Sequence, residues 1–391
     1  MVLKLDCGLP FDLANSDDFF SMLPPHPAVC LIELREETAE PLLIRTQDLR
    51  RRLERLLGPA DPASKRLNLR EVARGIRYRL TGSRFEQIFT YYQHAKQLFP
   101  SRYQKLMRLR PPAVLKVSLR NAYPRCYATR RIPVDPTGAP TAGAYYGPFA
   151  SRRSAEAFAG SALDFFKVRR CQIKIRRDPS FPGCIYSEMK MCLAPCFAGC
   201  TKEEHDAEVQ KLVQFLDTSG GSLHNSLEQE RESASEQLDF ERAAALHKKI
   251  EKLDDALRGS PELPRRIQDL NAVILQRSAE EQTISVYAVL SGWLAEPTFI
   301  RFAEIAGQPR SAEHIFREYL EGAASQASGG SASAIAPSKN TLSEHLWLLG
   351  RWYYSNPREG EILFRDKDWP YRRILRGCSR LLSPPQAAPP K

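Results

Sequence analysis

The sequence predicts an α+β fold, in which strand-rich and helical segments follow one another along the chain. Three stretches lead to this prediction. Apolar runs on either side of the polar turn 35–40 predict a small β-hairpin over 28–44. Residues 222–257 contain no Pro or Gly and predict a helical pair, and three apolar runs between 272 and 304 predict a β-meander. A chain of 391 residues is long enough for two or three domains.

The composition is that of a globular protein, with 42% apolar and 26% charged residues. No run of about 18 apolar residues is present to predict a membrane helix. The N-terminus has no basic start followed by an uninterrupted apolar stretch, so we read neither a secretory signal nor an anchor. We therefore expect a cytoplasmic protein.

The positive charge of the chain is concentrated in one region. The formal net charge is +11, but residues 45–177 hold 30 Lys and Arg against 8 Asp and Glu, and the rest is net acidic. A solvated arginine-rich face usually carries interspersed carboxylates, which are scarce here. The charge pattern favours binding to a polyanion of nucleic-acid size.

Several further elements can be placed by their periodicity. Leucines at 49, 53, 56 and 57 share one face of a helix predicted over 47–57, with arginines on the other face. A second helix is predicted over 85–99, and a strand over 113–119 after a Pro-Pro break. Residues 322–340 are rich in Ser, Ala and Gly and predict a flexible linker. Leu342, Leu346, Leu349 and Tyr353 then give one more amphipathic helix.

Five of the nine cysteines lie within thirty residues: Cys171, Cys184, Cys192, Cys196 and Cys200. An odd number of cysteines in a cytoplasmic chain argues against a disulfide framework, and such crowding usually indicates a metal site. Neighbouring Lys and Arg residues favour thiolates by lowering their pKa. Two close Cys-x2-Cys pairs, usual in a zinc ribbon, are absent, and unequal spacing suits an iron-sulfur cluster. Zinc and buried unliganded thiols remain alternatives.

The second predicted helix of the 222–257 pair carries an apolar seam. Asp239 is suited to cap this helix, and the seam residues follow at intervals of three and four: Ala243, Leu246, Ile250, Leu253 and Leu257. Leu223 and Leu227 on the preceding helix are too few to cover this seam. We expect an exposed apolar strip that binds a partner. The alternative is a coiled coil internal to the domain.

Several of these segments resemble the UvrC subunit of the bacterial excinuclease. The resemblance rests on AYYGPFASRRSAE, LDFFKVRRC, PGC, MCLAPC and LDFERAA, in this order. It implies a 4Fe-4S cluster held by Cys171, Cys184, Cys192 and Cys196, with Cys200 as a spare. It also implies a UVR motif that pairs with a UvrB-like protein through Phe240, Ala243, Leu246, Ile250 and Leu253.

The resemblance extends upstream to the GIY-YIG nuclease domain through PAVCLIEL and PLLIRTQDLRRRLERLLG. That family requires two motif tyrosines, a lysine, an arginine and a metal-binding glutamate. The corresponding positions here hold Cys30, Leu42, Arg45, Arg52 and Tyr91, or Tyr92 if the helix is shifted by one; Ile44 replaces the motif glycine. Only Arg52 matches, and tyrosine does not bind Mg²⁺ as a carboxylate does. The resemblance therefore implies a degenerate, nuclease-inactive domain.

In such a domain the arginines are better assigned to phosphate contacts, which position a protein on DNA. The candidate DNA-binding residues are Arg45, Arg50, Arg51, Arg52, Arg55, Arg102, Lys105, Arg108 and Arg110.

The sequence thus predicts six segments. They are a small mixed α/β, GIY-YIG-like domain over 20–150, a cysteine-rich iron-sulfur region over 151–205, a UVR-like antiparallel helical hairpin over 206–260, a β-meander over 265–321, the linker 322–340 and a C-terminal helical segment over 341–391. We recognise neither the RNase H-type nuclease nor the helix-hairpin-helix pair of the family.

The leading hypothesis is a UvrC-like repair protein that binds DNA and docks a UvrB-like partner without cutting. Two alternatives are a single-incision endonuclease and a UVR-containing stress-response adaptor.

Overall fold

The computed structural model describes residues 4–59, 66–135, 137, 139–305, 311–328 and 341–383. It contains three antiparallel sheets, each covered by helices, so the predicted α+β class is confirmed. No helix in these described ranges combines the length and the apolar character needed to cross a bilayer.

The N-terminal unit is a sheet with helices on both faces. Its elements are β1 (Cys7–Pro10), α1 (Ser16–Ser21), β2 (Ala28–Leu34), β3 (Leu42–Thr46), α2 (Leu49–Leu57), β4 (Ala73–Leu80), α3 (Arg84–Leu98) and α4 (Tyr103–Met107). The strand order is β1-β4-β2-β3, and β2–β3 is the predicted hairpin. Helix α2 begins at Leu49 because the Asp48 carboxylate accepts the N–H of Arg51 (2.9 Å), and it buries its four leucines.

The middle unit combines a second sheet with five α-helices. Its elements are β5 (Ala113–Val117), β6 (Cys126–Thr129), β7 (Ala144–Phe149), α5 (Arg152–Leu163), α6 (Ile185–Glu188), α7 (Lys202–Asp217), α8 (Gly221–Glu236), α9 (Phe240–Leu257) and β8 (Arg265–Arg266). The strand order is β6-β5-β7-β8. The hydroxyl of Tyr146 and the guanidinium of Arg266 both contact the carboxylate of Asp217, at 2.8 Å each, which joins β7, β8 and the end of α7. The predicted domain 20–150 therefore contributes to two different sheets.

The C-terminal unit contains the predicted meander and four helices. Its elements are β9 (Ala272–Arg277), β10 (Thr283–Leu290), β11 (Trp293–Leu294), β12 (Thr298–Arg301), α10 (Phe302–Ile305), α11 (Ala312–Ser328), α12 (Thr341–Tyr353), β13 (Glu361–Phe364) and α13 (Tyr371–Leu382). Strand β10 pairs with both β9 and β12, as a meander requires.

Two expectations for the C-terminal unit need correction. The segment 341–391 was expected to be helical, but it also supplies β13, which pairs with β9 and completes the third sheet. The linker was expected to start at residue 322, but α11 continues to Ser328 because its apolar face packs on this sheet. The remaining linker residues, 329–340, lie outside the described residues.

A shared apolar core connects the three units and positions α12. The ring of Phe85 in α3 packs edge-on against Tyr287 of β10 (4.9 Å between ring centroids) and at a tilt against Trp352 of α12 (5.2 Å). The same core includes Val114 and Tyr145 of the middle sheet. Helix α12 therefore lies beside α3 of the N-terminal unit, although more than 240 residues separate Lys96 from Thr341 and Glu344, which it contacts.

Candidate functional site

A cavity of about 440 Å³ opens at the edge of the N-terminal sheet, where β3 meets α2, α3 and α12. Its polar lining comes from five side chains, and we call it the arginine cavity. These are Arg45 of β3, Arg52 of α2, Tyr91 of α3, Arg108 just after α4 and Arg351 of α12. Thus three of the predicted DNA-binding arginines come together, with a fourth arginine that the sequence did not indicate.

The electrostatics of the arginine cavity favour an anion. Partial burial, and then the neighbouring charge of Arg351, lower the pKa of Arg45 from its ordinary value. Burial raises the pKa of Tyr91, so its hydroxyl keeps its proton at neutral pH and remains a donor. No Asp or Glu of the described residues lines the cavity. Guanidinium groups in such a setting suit phosphate, which they bind in a bidentate manner.

The positions expected to be catalytic in the resembled nuclease are placed as follows. Cys30 is fully buried in β2 opposite Ile44, and burial raises its pKa to about 12, so it is a core thiol. Leu42 packs against the same core. Tyr91 faces the arginine cavity, whereas Tyr92 is 3% exposed and donates a hydrogen bond to Glu344 (2.7 Å). The sequence left open whether Tyr91 or Tyr92 occupies the glutamate position, and in the structure only Tyr91 of these two lines the cavity.

The other predicted DNA-binding residues differ in their availability. Arg51, Arg55 and Lys105 are exposed. Arg50 donates to the backbone carbonyls of Leu23 (2.6 Å) and Ser21 (3.1 Å), and Arg102 is paired with Glu40. The side chains of these two arginines are engaged in contacts with other residues of the protein. They therefore contribute less to a free basic surface than the sequence suggested.

Next to the arginine cavity lies a basic wall, of which the sequence analysis named only Arg110. Arg110 and Arg130 line two further cavities, and so does Trp347 of α12. Arg131 lines one of them. Trp347 and Arg351 are four residues apart and therefore share a helix face, opposite the leucines that identified this helix. The four-residue spacing of Trp347 and Arg351 was the sequence signal for this face of α12. No local pattern shows which other element of the fold that face meets.

The four cysteines expected as ligands are near enough for their charges to influence one another. Burial raises the pKa of Cys192, the N–H of Ala194 opposes this rise (N···Sγ 3.1 Å), and the nearby thiols of Cys171, Cys184 and Cys196 add to it. Cys192 and Cys196 are buried, and Cys171 and Cys184 are partly exposed. No group of three or more His, Cys, Asp or Glu side chains is arranged as a metal site in the part of the chain that the structure describes.

The surroundings of these thiols fit thiolate ligands. Arg169, although 6% exposed, donates to the carbonyl of Ile173 (3.0 Å) and lies 3.8 Å from the sulfur of Cys171. Burial raises the pKa of Cys192 and of Cys196, and the backbone N–H groups of Ala194 and Phe197 oppose that rise. Hydrogen bonds to sulfur and nearby cations are the usual surroundings of a thiolate-bound cluster. All nine cysteines lie in the described ranges, and all are free thiols.

The helical hairpin exists as predicted, but its apolar seam is not exposed. Leu246 and Ile250 are each 5% exposed and Leu253 is fully buried. They belong to a core cluster with Val209 and Leu212 of α7, and Ala243 and Leu257 pack at its edge. The expectation of an exposed strip is therefore wrong, because the seam packs against α8 within the core cluster that also contains α7 and the middle sheet.

The exposed apolar surface of the hairpin is instead at its tip. Phe240 is 65% exposed and Leu238 is 72% exposed, which places both among the most exposed large apolar side chains of the described residues. Leu238 has a left-handed backbone (φ 58°), and the carboxylate of Asp239 caps α9 by accepting the N–H of Arg242 (3.1 Å). Among the predicted partner residues, Phe240 is the most exposed.

Comparison with known proteins locates two family matches on this structure. The model of the UvrC/Cho excinuclease middle domain matches residues 113–215, and that of the UvrB/uvrC motif matches residues 221–256. The first match covers β5 to α7 and includes the cysteines, and the second is the hairpin α8–α9.

Curated relatives agree with these matches. UvrABC system protein C of Ruminiclostridium cellulolyticum is 29% identical over 179 residues, which are 46% of this chain and 28% of the relative. The Chlamydia caviae protein of the same name is 30% identical over 164 residues, 41% of this chain and 26% of the relative. The Acetivibrio thermocellus protein is 25% identical over 272 residues, 64% of this chain and 40% of the relative.

The chain therefore spans less than half the length of these relatives. No solved structure matches the chain. The resemblance that the motifs suggested is confirmed: over residues 113–256 the chain is of the UvrC type, with a UvrC middle domain followed by a UVR motif.

Proposed function

We propose that this protein is a cytoplasmic nucleotide-excision-repair protein that binds DNA and docks a UvrB-like partner without cutting DNA itself. The observation that carries the proposal is the UvrC-type segment 113–256, attached to a basic N-terminal unit. The UvrC type supplies the repair context, and the basic unit supplies the charge that a DNA backbone requires.

The arginine cavity supports binding without incision. Phosphodiester cleavage by a metal-dependent nuclease needs a base and carboxylates that hold a divalent cation. Within the described residues, Arg45, Arg52, Arg108 and Arg351 line this cavity with Tyr91, and no carboxylate does. A phosphate held there would meet positive charge without the ligands that Mg²⁺ prefers.

The cysteine site supports a 4Fe-4S cluster held by Cys171, Cys184, Cys192 and Cys196. A bound cluster would crosslink the loops of this segment through iron–thiolate bonds. The residues of this chain would hold it in place: Arg169 fixes the loop of Cys171, and the backbone of Ala194 orients the sulfur of Cys192. Zinc remains the alternative metal for the same ligands.

The hairpin tip supports partner docking. An exposed phenylalanine next to an exposed leucine on a rigid helical turn is an efficient anchor for a hydrophobic pocket. We therefore assign the contact to Phe240 and Leu238, while the buried seam of Leu246, Ile250 and Leu253 holds the hairpin on the protein.

The experiment measures DNA binding and incision on the same preparation. We expect the full chain to bind duplex DNA with an affinity that falls steeply between about 50 and 200 mM salt. With Mg²⁺ or Mn²⁺ and a lesion-bearing duplex, no incision should appear. Incision that Arg52→Ala abolishes would contradict the proposal and favour an endonuclease. Absence of DNA binding, together with partner binding through the tip, would favour the stress-response adaptor.

A further inference from the structure

Three cavities follow one another along helix α12. The arginine cavity (about 440 Å³) shares Arg351 with a second cavity of about 290 Å³. The second shares Arg110, Arg130 and Trp347 with a third of about 650 Å³. Because neighbouring cavities have lining residues in common, they lie side by side along α12, and we call this row of cavities the α12 groove.

The α12 groove is strongly basic. Seven arginines line it, contributed by all three units of the fold: Arg45, Arg52, Arg108, Arg110, Arg130, Arg131 and Arg351. The carboxylate of Glu344 also lines it, but that carboxylate already accepts hydrogen bonds from Tyr92, Tyr103 and Lys96. Among the described residues, the groove therefore offers many cationic donors and one carboxylate, whose charge is balanced by Lys96.

The groove also has flat apolar surfaces between its cations. Trp347 is partly exposed, and the guanidinium of Arg351 stacks over its ring at 5.1 Å from the centroid. Tyr354 lines the neighbouring compartment. Cationic side chains that track a backbone, alternating with aromatic faces, are the pattern of single-strand binding. A double helix, whose major groove alone is about 12 Å wide, is too large for compartments of a few hundred Å³.

We propose that the α12 groove binds a single strand of DNA, with a backbone phosphate in the arginine cavity and a base against Trp347. This inference rests on the proposed function in one respect, since both require the chain to bind DNA. It adds the strandedness of the ligand, its path, and a role for α12, which lies outside the two family matches.

The experiment compares two charge reversals with the same local setting. Arg351→Glu removes a guanidinium that lines the groove. Arg358→Glu removes one that likewise stacks on an aromatic ring (4.7 Å from Tyr353) but lines a different cavity. Both positions are exposed, so both variants should fold, which thermal unfolding verifies. Binding is measured by fluorescence anisotropy with a labelled single-stranded oligonucleotide and with a duplex of the same sequence.

We expect Arg351→Glu to weaken single-strand binding by about tenfold or more, with a smaller effect on the duplex. Arg358→Glu should leave the single-strand affinity within about twofold, and Arg351→Lys should recover part of it. A second readout is tryptophan fluorescence, which the bound strand should quench. Trp347→Phe should remove most of that quenching, an effect that a purely structural role would not produce.

Several outcomes would overturn the inference. Equal losses for Arg351→Glu and Arg358→Glu would indicate nonspecific charge attraction, and equal losses for single strand and duplex would remove the strand preference. Full competition by inorganic phosphate at the same phosphate concentration would indicate a small-anion site. If the parent protein binds duplex DNA and the Arg351→Glu variant binds single strands with the parent's affinity, this inference fails but the proposed function stands. A chain that binds neither form would defeat the proposed function as well.

Discussion

The hydroxyl of Tyr92 donates a hydrogen bond of 2.7 Å to the carboxylate of Glu344, a residue 252 positions later in the chain. Tyr103 donates to the other carboxylate oxygen of Glu344 at 2.6 Å. The ammonium group of Lys96 lies 3.1 Å from the oxygen that Tyr92 contacts. This network fixes α12 on α3 and α4, so Tyr92 is unavailable to the arginine cavity and Trp347 and Arg351 face the α12 groove.

The first prediction concerns the stability that Glu344 provides. Burial alone would raise the pKa of Glu344, but hydrogen bonds from Tyr103 and Tyr92 and the charge of Lys96 lower it overall. Glu344→Ala would leave these three groups without their acceptor. We expect the free energy of unfolding to fall by about 3 to 5 kcal/mol in urea denaturation at neutral pH.

The control for this variant is Glu156→Ala, which removes an exposed carboxylate paired with Arg152. We expect that change to cost no more than about 0.5 kcal/mol. Similar losses for the two variants would show that the Glu344 network does not hold α12 in place.

The second prediction is a pH dependence from Glu86, which is 1% exposed at the start of α3. Burial raises its pKa from 4.5 to about 7, opposed by the N–H of Gly82 and the charge of Arg79. Because the folded pKa is the higher one, the contribution of Glu86 is fully present below about pH 4.5 and is lost as the pH rises through about 7.

Glu86→Gln should remove this dependence. Between pH 4.5 and 8, the parent should lose on the order of 3 kcal/mol of unfolding free energy relative to the variant. The measurement is a series of urea titrations across this pH range, with Glu54→Gln on the exposed face of α2 as the matched control. A Glu86→Gln curve parallel to that of the parent would contradict the prediction.

The third prediction separates the two apolar sets of the hairpin. Leu253→Ala creates a cavity in the core and should lower the free energy of unfolding by about 2 to 5 kcal/mol. Phe240→Ala removes an exposed ring and should change it by less than about 0.5 kcal/mol. Calorimetric titration with the C-terminal hairpin of a UvrB-like protein should show the reverse order, with binding lost for Phe240→Ala.

The control for the binding assay is Met22→Ala, since Met22 is also an exposed apolar residue, at 58%, on another unit. Partner binding by Phe240→Ala at the parent's affinity would refute the assignment of the hairpin tip.

The fourth prediction concerns the metal ligands. Replacing Cys171, Cys184, Cys192 or Cys196 by Ser should each abolish the bound metal, because each removes one thiolate of a four-ligand site. Cys200→Ser should retain it. We expect anaerobically purified protein to show the broad visible absorbance of an iron-sulfur cluster, measured together with iron, sulfide and zinc content.

Cys378→Ser is the matched control, because Cys378 is a fully buried thiol in α13, away from the cluster segment. Metal lost in Cys200→Ser and kept in Cys171→Ser would show a different ligand set. If the protein contains zinc instead of iron, the predicted ligand set would still hold but the predicted cofactor would be wrong.

The sequence by itself determined the local elements of this protein. The leucines of α2, the β2–β3 hairpin and the α8–α9 pair are encoded by periodicities over neighbouring residues, and the structure has each of them. The motifs around the cysteines also carried the UvrC resemblance, because those short segments are read without knowing the fold.

The tertiary structure decided which faces are covered and by what. The seam of Leu246 and Ile250 shows the same 3–4 spacing whether it binds a partner or its own chain, and here it is buried in a core cluster of its own chain. The neighbouring tyrosines 91 and 92 are chemically alike, and the packing of α3 decides that Tyr92 bonds Glu344 while Tyr91 lines the cavity. Arg351 joins Arg45 and Arg52 because α12 packs across the N-terminal unit. An amphipathic pattern specifies that a face is apolar, but the contact it makes depends on residues hundreds of positions away.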